Sequence, residues 1–278
     1  MRKLAYILTL ALIVNFSASS IAQEAIRLAT YNIRYNNAKD GINAWPNRKD
    51  KVLALIRFHE LDIVCVQEAL ADQYDEIEKG TGFAAFGAGR DDGLRKGEFA
   101  PIFYNKNRFE QRAAGVFWLS ETPDKPSKGW DAALNRVCTW LHLYDKANKK
   151  EFMVFNTNYD HVGVQARIEA AKLIKTKINE LAKGVPIVFA GDLNVKPDSE
   201  AISTIKTFLF DTKERSEQLP YGPDGTFNAF NFNSPLQDRI DYVFINDFFR
   251  VQKYAVLSDN SDLRYYSDHL PVMVKLFF

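Results

Sequence analysis

Four apolar segments of this chain are each closed by acidic, amide or imidazole side chains. The polar clusters fall within residues 62–68, 156–161, 189–194 and 267–271, and the apolar run 272–278 follows the last of them. Burying so many ionisable groups costs several kcal/mol unless partner groups or a metal ion compensate. The fold must therefore gather these strand ends, and the pattern predicts one composite site for a divalent cation and an anionic ligand.

The order of the predicted elements favours two sheets. The predicted strands comprise residues 26–33, 61–66, 100–104, 115–119, 136–144, 151–157, 186–190, 239–245, 250–257 and 271–278. Apolar residues at steps of three and four predict helices over 47–59 and 164–182, and residues 80–97 predict a loop or a weak strand. The strands between residues 100 and 157 have no helix between them, which implies antiparallel pairing. Two sheets packed face to face, with helices on their outer faces, accommodate both the helix-linked strands and the strands that follow one another directly, in an α/β fold.

Residues 1–22 have the pattern of a secretory signal peptide. Met1-Arg2-Lys3 is basic, residues 4–16 are almost wholly apolar, and small residues follow. The alternatives are a buried N-terminal helix or an uncleaved anchor, but the apolar run is short for a bilayer span. We therefore expect residues 23–278 to form one domain of a periplasmic or secreted protein, with no stable membrane anchor after cleavage.

The charge balance favours a small ligand over a long polyanion. The chain carries a net charge of +1, and loss of residues 1–22, which hold Arg2 and Lys3 and no acidic residue, leaves −1. Such a balance lacks the basic footprint of proteins that bind long nucleic acids. A small phosphorylated substrate is therefore favoured, although a local basic patch stays open. The candidate phosphate-binding residues are Arg34, Arg48, Arg90, Arg95 and Arg136.

Cys65 and Cys138 both lie in apolar, strand-like runs. In an exported protein they form one disulfide or stay buried free thiols, and the sequence favours neither. No histidine or cysteine spacing typical of a metal site accompanies them.

Asn32 and Glu68 close two of the predicted strands. Asn32 is either a ligand for a substrate oxygen or an ordinary turn residue at a strand end. The Glu68 carboxylate needs a cation or hydrogen-bond donors, so it predicts a Mg²⁺ ligand or a salt bridge to an arginine.

Asp192 and Asn194 follow the wholly apolar strand 186–190. Residues two apart on an extended segment point to one side. We expect Asp192 to orient and deprotonate a water molecule, and Asn194 to hold that water or a phosphate oxygen. The alternative, a Gly-Asp turn with a capping Asn before Pro197, accounts less well for the Gly-Asp-x-Asn pattern.

Asp241 alternates with apolar neighbours on a predicted strand, and His269 is its natural partner. An Asp–His pair fixes the imidazole tautomer and raises its pKa. Asp268 is then free for a metal or for the leaving group. Asn158 closes another strand and, with Asp160 and His161, lies within reach of the same rim of the site. For Asp160 and His161, a turn that caps the next helix is an equal alternative.

Taken together, these segments resemble the endonuclease/exonuclease/phosphatase superfamily, which has the deoxyribonuclease-I-like fold. The resemblance runs from about Ile26 to the C-terminus. The motifs that carry it, in the family's order, are Thr30-Tyr31-Asn32, Val66-Gln67-Glu68, Gly191-Asp192-Leu193-Asn194, Arg239-Ile240-Asp241-Tyr242 and Ser267-Asp268-His269-Leu270-Pro271. Further motifs, Trp45-x-x-Arg48-Lys49 among them, resemble a bacterial branch.

The resemblance implies a four-layered α/β/β/α sandwich of two packed mixed sheets. It also implies Mg²⁺ or Mn²⁺ at Glu68, with Asn32 and Asp268 close by. Asp192 is then the water-activating base, with Asn194 beside it. The implied substrate contacts are Asn32, Asn194 and His269. Arg34 and Arg90 are added as candidate phosphate-binding residues on their charge alone. His269, oriented by Asp241, contacts the scissile phosphate, and water attacks in line.

Asn158 departs from the family pattern, because many relatives have His in an Asn-Thr-His motif where this chain has Asn156-Thr157-Asn158. Asn donates a hydrogen bond but delivers no proton at neutral pH. The chain is then slow, uses a good leaving group, or recruits His161 or a metal-bound water.

The leading hypothesis is an exported, metal-dependent phosphoesterase for a small substrate such as a sugar phosphate or a lipid headgroup ester. The alternatives are an extracellular nuclease, and a phosphate-ligand-binding protein impaired in catalysis by Asn158. Residues 87–97, which include Arg90, form either a specificity wall or a solvated loop.

Overall fold

The computed structural model describes residues 23–278. The predicted signal peptide, residues 1–22, lies outside the described residues. Within 23–278, no helix is both long and apolar enough to cross a membrane. Cys65 and Cys138 are buried free thiols, so the disulfide alternative is wrong for this structure.

Helices stand between strands near the N-terminus and between residues 164 and 215, whereas residues 84–158 and 241–277 contain strands without an intervening helix. The strands are β1 (Ile26–Asn32), β2 (Ile63–Gln67), β3 (Ala84–Phe86), β4 (Ile102–Tyr104), β5 (Phe109–Trp118), β6 (Val137–Asp145), β7 (Lys150–Asn158), β8 (Ile187–Asp192), β9 (Phe210–Asp211), β10 (Asp241–Ile245), β11 (Arg250–Val256), β12 (Asn260–Ser261), β13 (Arg264–Tyr265) and β14 (Val272–Phe277). The α-helices are α1 (Lys49–Phe58), α2 (Ala71–Thr81), α3 (Val164–Leu181), α4 (Glu200–Ile205) and α5 (Thr212–Arg215), and two 3₁₀ segments cover Ala38–Asn43 and Trp45–Asn47.

Two six-stranded mixed sheets form the body of the protein. The first has the order β11-β14-β1-β2-β4-β3 and the second β5-β6-β7-β8-β10-β9. β1 pairs parallel with β2 across α1, and β7 pairs parallel with β8 across α3. The other pairs are antiparallel. Among them, β3–β4, β5–β6 and β6–β7 pair strands that follow one another without a helix, as expected for such connections.

Three apolar clusters separate four layers. The central one lies between the sheets and includes Leu28, Val154 and Val188. One outer cluster packs α1 and α2 on the first sheet, and the other packs α3 and α4 on the second. The predicted four-layered α/β/β/α sandwich is therefore confirmed.

The prediction missed α2, which fills most of the interval between the second strand and residue 82. Its buried residues are only Gln73 and Ile77, so its sequence lacks the apolar stripe that marks α1 and α3. The segment assigned to a loop or weak strand contains β3, a strand of three residues.

Strand alternation carries the polar strand ends into the space between the sheets. On β1, Ile26 and Leu28 belong to the central cluster, so Asn32 shares their face. On β8, Val188 and Ala190 belong to the same central cluster, so Asp192 shares their face of the strand. Both polar side chains therefore point into the gap at the end where the sheets stop packing.

Candidate active site

The register of the second sheet sets three polar residues side by side. Asn158 on β7 pairs with Asp192 on β8, and Asp192 pairs with Asp241 on β10. Each side chain faces the first sheet, where Asn32 ends β1. All four are at most 7% exposed, so their polar atoms depend on one another for partners.

Asn32 joins the two sheets at this point. Its amide nitrogen lies 3.0 Å from Glu68 Oε1 and 3.0 Å from Asp192 Oδ2, and donates to both. Its Oδ1 accepts a hydrogen bond from the Arg34 amide at 2.9 Å. Asn32 thus acts as a fixed bridge between two carboxylates, a role that a plain turn residue does not have.

Glu68 follows β2 in a left-handed backbone conformation (φ 62°). Its Oε2 accepts from the Tyr35 amide at 3.3 Å, in addition to the bond from Asn32. Among residues 23–278 it forms no ion pair with a lysine or arginine. The salt-bridge alternative is therefore wrong, and a cation remains the natural partner for this carboxylate.

Asp192 ends β8, and Asn194 has left the strand, with φ 51°. The predicted extended geometry is wrong, yet the turn brings the two together: the Asn194 amide donates to Asp192 Oδ1 at 3.0 Å. Burial, reinforced by the Asp241 carboxylate, raises the pKa of Asp192 to about 7. A carboxyl group with such a pKa is suited to accept a proton near neutral pH.

His269 is tied to Asp241, with 2.9 Å between Nδ1 and Oδ2. Thr226 Oγ1 donates to the same oxygen at 2.6 Å, and His269 Nε2 lies 3.9 Å from Asp192 Oδ2. Burial opposes a charge on His269, but the carboxylates of Asp241 and Asp192 outweigh it and hold its pKa well above the usual value. The ring therefore presents a protonated Nε2 to the cavity.

Asp268 forms a long ion pair with Arg34, with 3.9 Å between Oδ2 and Nε, and both residues line the cavity. Ser267 Oγ donates its one proton at 2.8 Å to the Asn32 carbonyl, the nearer acceptor, and also lies 3.2 Å from Asp268 Oδ1. Burial raises the pKa of Asp268, and the charge of Glu68 adds to the rise against the opposing effect of His269.

Asn158 contacts Asn194, whose amide nitrogen donates to Asn158 Oδ1 at 3.2 Å. Asp160 caps a turn, because its carboxylate accepts from the amides of Val162 and Gly163. It does not cap the helix that follows, since the first amides of α3 are bound by Asp131. His161 lines the cavity, and its Nδ1 lies 2.9 Å from Arg136 Nη2.

One cavity of about 610 Å³ collects these groups at the edge of the sandwich. Its lining residues are Arg34, Tyr35, Glu68, Arg90, Glu98, Leu134, Arg136, His161, Asp192, Asn194, Phe227, Ile240, Asp268 and His269. Asn32, Asn158 and Asp241 lie directly behind this wall.

The arginines named from the sequence divide into two groups. Arg34, Arg90 and Arg136 line the cavity. Arg48 instead donates to the main-chain carbonyls of the site loops, and Arg95 pairs with Asp75 at an exposed position. The basic patch at the cavity is thus smaller than the sequence suggested. Residues 87–97 form part of the cavity wall through Arg90.

The donor set fits a hard divalent cation. Glu68 and Asp268 bring carboxylate oxygens to one wall, and the charge of Glu68 contributes to the raised pKa values of both Asp192 and Asp268. Mg²⁺ or Mn²⁺, held through oxygen ligands, would offset this crowding of carboxylates. Asp192, Asp241 and His269 also approach one another, but the His269–Asp241 hydrogen bond already occupies that face.

Sequence reasoning missed several residues that shape the site. Thr226 orients Asp241, and the Phe227 ring packs on His269 with 5.0 Å between the ring centroids. Glu98 lines the cavity beside Arg90, and burial together with Glu68 raises the pKa of Glu98 to about 7. Thr226 and Phe227 lie in the long segment between α5 and β10, and neither side chain is acidic or an imidazole, so neither gave a chemical signal.

The comparisons with known proteins agree with this architecture. A profile of the Endonuclease/Exonuclease/phosphatase family matches residues 29–269. An endonuclease/exonuclease/phosphatase family protein of Bacteroides thetaiotaomicron is 38% identical, with a TM-score of 0.89, over 92% of this chain and 98% of that one. A mannosyl-6-phosphatase of the same organism is also 38% identical, with a TM-score of 0.87, over 91% of this chain and 100% of that one.

A viral protein extends the similarity. An uncharacterized protein of Acanthamoeba polyphaga mimivirus is 27% identical in an alignment of 249 residues that covers 83% of this chain and 91% of that protein. The match to the family profile, residues 29–269, includes strands of both sheets and the site residues from Asn32 to His269. The chain belongs to the Endonuclease/Exonuclease/phosphatase family, whose members hydrolyse phosphoester bonds.

Proposed function

We propose that the protein is an exported, divalent-metal-dependent phosphoesterase that hydrolyses a small phosphate ester. The observation that carries this proposal is the convergence of Glu68, Asp192 and His269 on one cavity, although they lie far apart in the sequence. A carboxylate that binds a cation, a base and a cationic donor are the parts that in-line hydrolysis requires.

Asp192 is proposed as the base that removes a proton from the attacking water. Its Oδ1 is held by the Asn194 amide and its Oδ2 by Asn32, so the carboxylate has a fixed orientation. Asn194 Nδ2 lies 3.4 Å from Asp192 Oδ2, close enough to hold the same water.

His269 is proposed to stabilise the negative charge on the phosphoryl oxygens through Nε2–H. Asp241 and Thr226 fix the opposite side of the ring, so the donor is oriented before the substrate binds. A divalent cation held by Glu68 and Asp268, with Asn32 beside them, would supply further positive charge to the phosphoryl group.

The substrate is proposed to be a phosphomonoester with a small leaving group, such as a sugar phosphate. The cavity of about 610 Å³ falls in the size range of small-molecule sites. The similarity to a mannosyl-6-phosphatase at 38% identity supports this choice. Export, to the periplasm or out of the cell, is proposed on the pattern of residues 1–22 alone.

Two other functions stay as candidates, each on a specific observation. The cavity-lining Arg34, Arg90 and Arg136 favour an extracellular nuclease, and Asn158 in place of His favours a phosphate-binding protein with impaired catalysis.

The deciding experiment follows hydrolysis of a hexose 6-phosphate, a phosphodiester and single-stranded DNA with Mg²⁺ and after addition of EDTA. We expect phosphate release from the monoester that EDTA abolishes and Mg²⁺ or Mn²⁺ restores, with little dependence on salt. A preference for DNA with steep salt dependence would indicate the nuclease. Phosphate binding without turnover of any ester would indicate the impaired binder.

A further inference from the structure

One end of the cavity contains none of the groups assigned to hydrolysis. Three loops build it: the β3–β4 loop provides Arg90 and Glu98, the β5–β6 loop provides Leu134 and Arg136, and the β7–α3 loop provides His161. We call these five residues the loop end of the cavity.

The hydrogen bond between Arg136 and His161 fixes the imidazole tautomer. Arg136 Nη2 lies 2.9 Å from His161 Nδ1. A guanidinium group only donates hydrogen bonds, so Nδ1 must accept with its lone pair. The ring is then neutral and carries its one proton on Nε2. Within residues 23–278, Nε2 has no hydrogen-bond partner, and the exposed ring lines the cavity.

Arg136 is itself held in place by Asp160. The Asp160 carboxylate accepts from Arg136 Nε at 3.2 Å and from four main-chain amides of the two loops, those of Ala133, Leu134, Val162 and Gly163. Arg136 is 6% exposed and Asp160 is 2% exposed. This buried pair fixes the guanidinium from which the exposed His161 ring accepts its hydrogen bond.

The loop end pairs its own charges. Arg90 pairs with Glu98 at 2.7 Å, and Arg136 pairs with Asp160. What it offers a ligand is therefore a mixture of donors and acceptors with little net charge. A second phosphate would need an unpaired cation, whereas hydroxyl groups both donate and accept.

Building on the proposed phosphoesterase function, we propose that His161 is a specificity-determining residue that donates its Nε2–H to a hydroxyl oxygen of a polyhydroxylated leaving group. On this account His161 binds the leaving group and does not protonate it. A neutral imidazole whose Nδ1 is bound to a guanidinium has no second ring proton to deliver. His161 therefore does not substitute for the histidine that Asn158 replaces.

The test compares two alkyl esters with similarly poor leaving groups, a hexose 6-phosphate and ethyl phosphate, in wild type, His161→Ala and His161→Gln. The measured quantity is the ratio of kcat/KM for the hexose ester to that for ethyl phosphate. We expect His161→Ala to lower this ratio about 10- to 100-fold, as for a lost hydrogen bond to substrate. His161→Gln should keep most of it, because the glutamine amide nitrogen donates from nearly the place of Nε2.

Three outcomes would overturn the assignment. In one, His161→Ala slows both esters equally and leaves the ratio unchanged, as expected for a proton donor. In another, His161→Gln is as defective as His161→Ala. In the third, the wild type has no preference for the hexose ester. Failure of the phosphoesterase function itself is seen separately, as absence of metal-dependent hydrolysis of ethyl phosphate by the wild type.

Nitrogen-15 NMR of the His161 ring gives a readout that does not depend on turnover. At pH 7 it should show a protonated Nε2 and an unprotonated Nδ1. A ring protonated at both nitrogens, or at Nδ1 alone, would contradict the tautomer on which the assignment rests.

Discussion

At the scale of single residues, Asn158 stands where the resemblance to the family implies a histidine. It pairs with Asp192 across β7 and β8 and binds Asn194, so it retains a structural place beside the proposed base. What it lacks is a proton to transfer. In the proposed reaction, the leaving group therefore departs with less assistance than a histidine would give.

Replacing Asn158 by His should restore that assistance. We expect Asn158→His to raise kcat for alkyl phosphates, whose leaving groups are poor, by about tenfold or more, with a smaller gain for aryl phosphates. Steady-state kinetics on ethyl and phenyl phosphate measure the two gains. Unchanged or lower rates for ethyl phosphate would show that no acid is missing.

Asp160 makes the stability of the protein depend on pH. Burial disfavours its charge, but the amides of Gly163, Ala133 and Val162 and the Arg136 guanidinium outweigh burial and hold the pKa of Asp160 well below its usual range. A carboxyl whose pKa is lower in the folded than in the unfolded chain stabilises the fold above the unfolded pKa, about 3.9. That stabilisation is lost as the pH falls towards the folded value.

Asp160→Asn should therefore destabilise the protein by roughly 3 kcal/mol at pH 7, because a buried arginine loses its partner. The difference from wild type should shrink between about pH 4 and pH 2. Urea unfolding over this pH range measures it. Asp124→Asn, at an exposed position, is the matched control and should change stability by less than about 0.5 kcal/mol. A difference that stays constant with pH would contradict the assignment.

At the scale of elements, a buried pair of amides joins the two sheets beneath the site. Gln67 at the end of β2 donates to Asn156 Oδ1 on β7 at 2.6 Å. Asn156 Nδ2 donates to the carbonyls of Val66 and Pro101, at 2.7 and 2.8 Å. Each sheet thus completes the hydrogen bonding of the other, at the point where the central apolar cluster gives way to the polar site.

Asn156→Ala should cost roughly 2–5 kcal/mol of unfolding free energy, because several buried polar groups lose their partners at once. Asn233→Ala, the same substitution at an exposed position, should cost less than about 0.5 kcal/mol. Chemical denaturation of both variants measures the contrast. Equal stability of the two variants would show that the amide pair does not hold the sheets together.

The elements also show why sequence reasoning succeeded in some places and failed in others. β8 and α3 were predictable because apolar side chains dominate their buried faces. α2 was not, because the side chain that anchors it is Gln73, which accepts from the Asn36 amide at 2.7 Å and donates to the Arg34 carbonyl. A polar anchor of this kind acts through tertiary contacts, which carry no periodic signal.

The candidate site shows the same contrast. Asp192, Asp241 and His269 were identifiable because charged groups at the ends of apolar strands demand partners. Glu98 and Thr226 were not, because their importance comes from loops that only the folded chain brings to the cavity. The interaction of Arg136 with Asp160 and His161 likewise joins segments separated by 24 and 25 residues.

At the scale of the whole molecule, the sandwich explains how a chain of nearly neutral net charge builds an ionic site. The strands of both packed sheets end on one side of the molecule. Strand alternation points the side chains of Asn32, Asp192 and Asp241 into the gap between the sheets there. Charge is concentrated by topology and not by composition. We propose that this end of the sandwich activates water through Asp192.

Replacing Asp192 by Asn tests this claim most directly, because the substitution keeps the shape of the side chain and removes its basicity. The measurement is kcat for phenyl phosphate with Mg²⁺, alongside Asp247→Asn, an exposed change beyond the opposite end of β10. We predict a loss of roughly 10²–10⁴-fold for Asp192→Asn in a stably folded protein, and no change for Asp247→Asn. Wild-type turnover by Asp192→Asn would contradict the account.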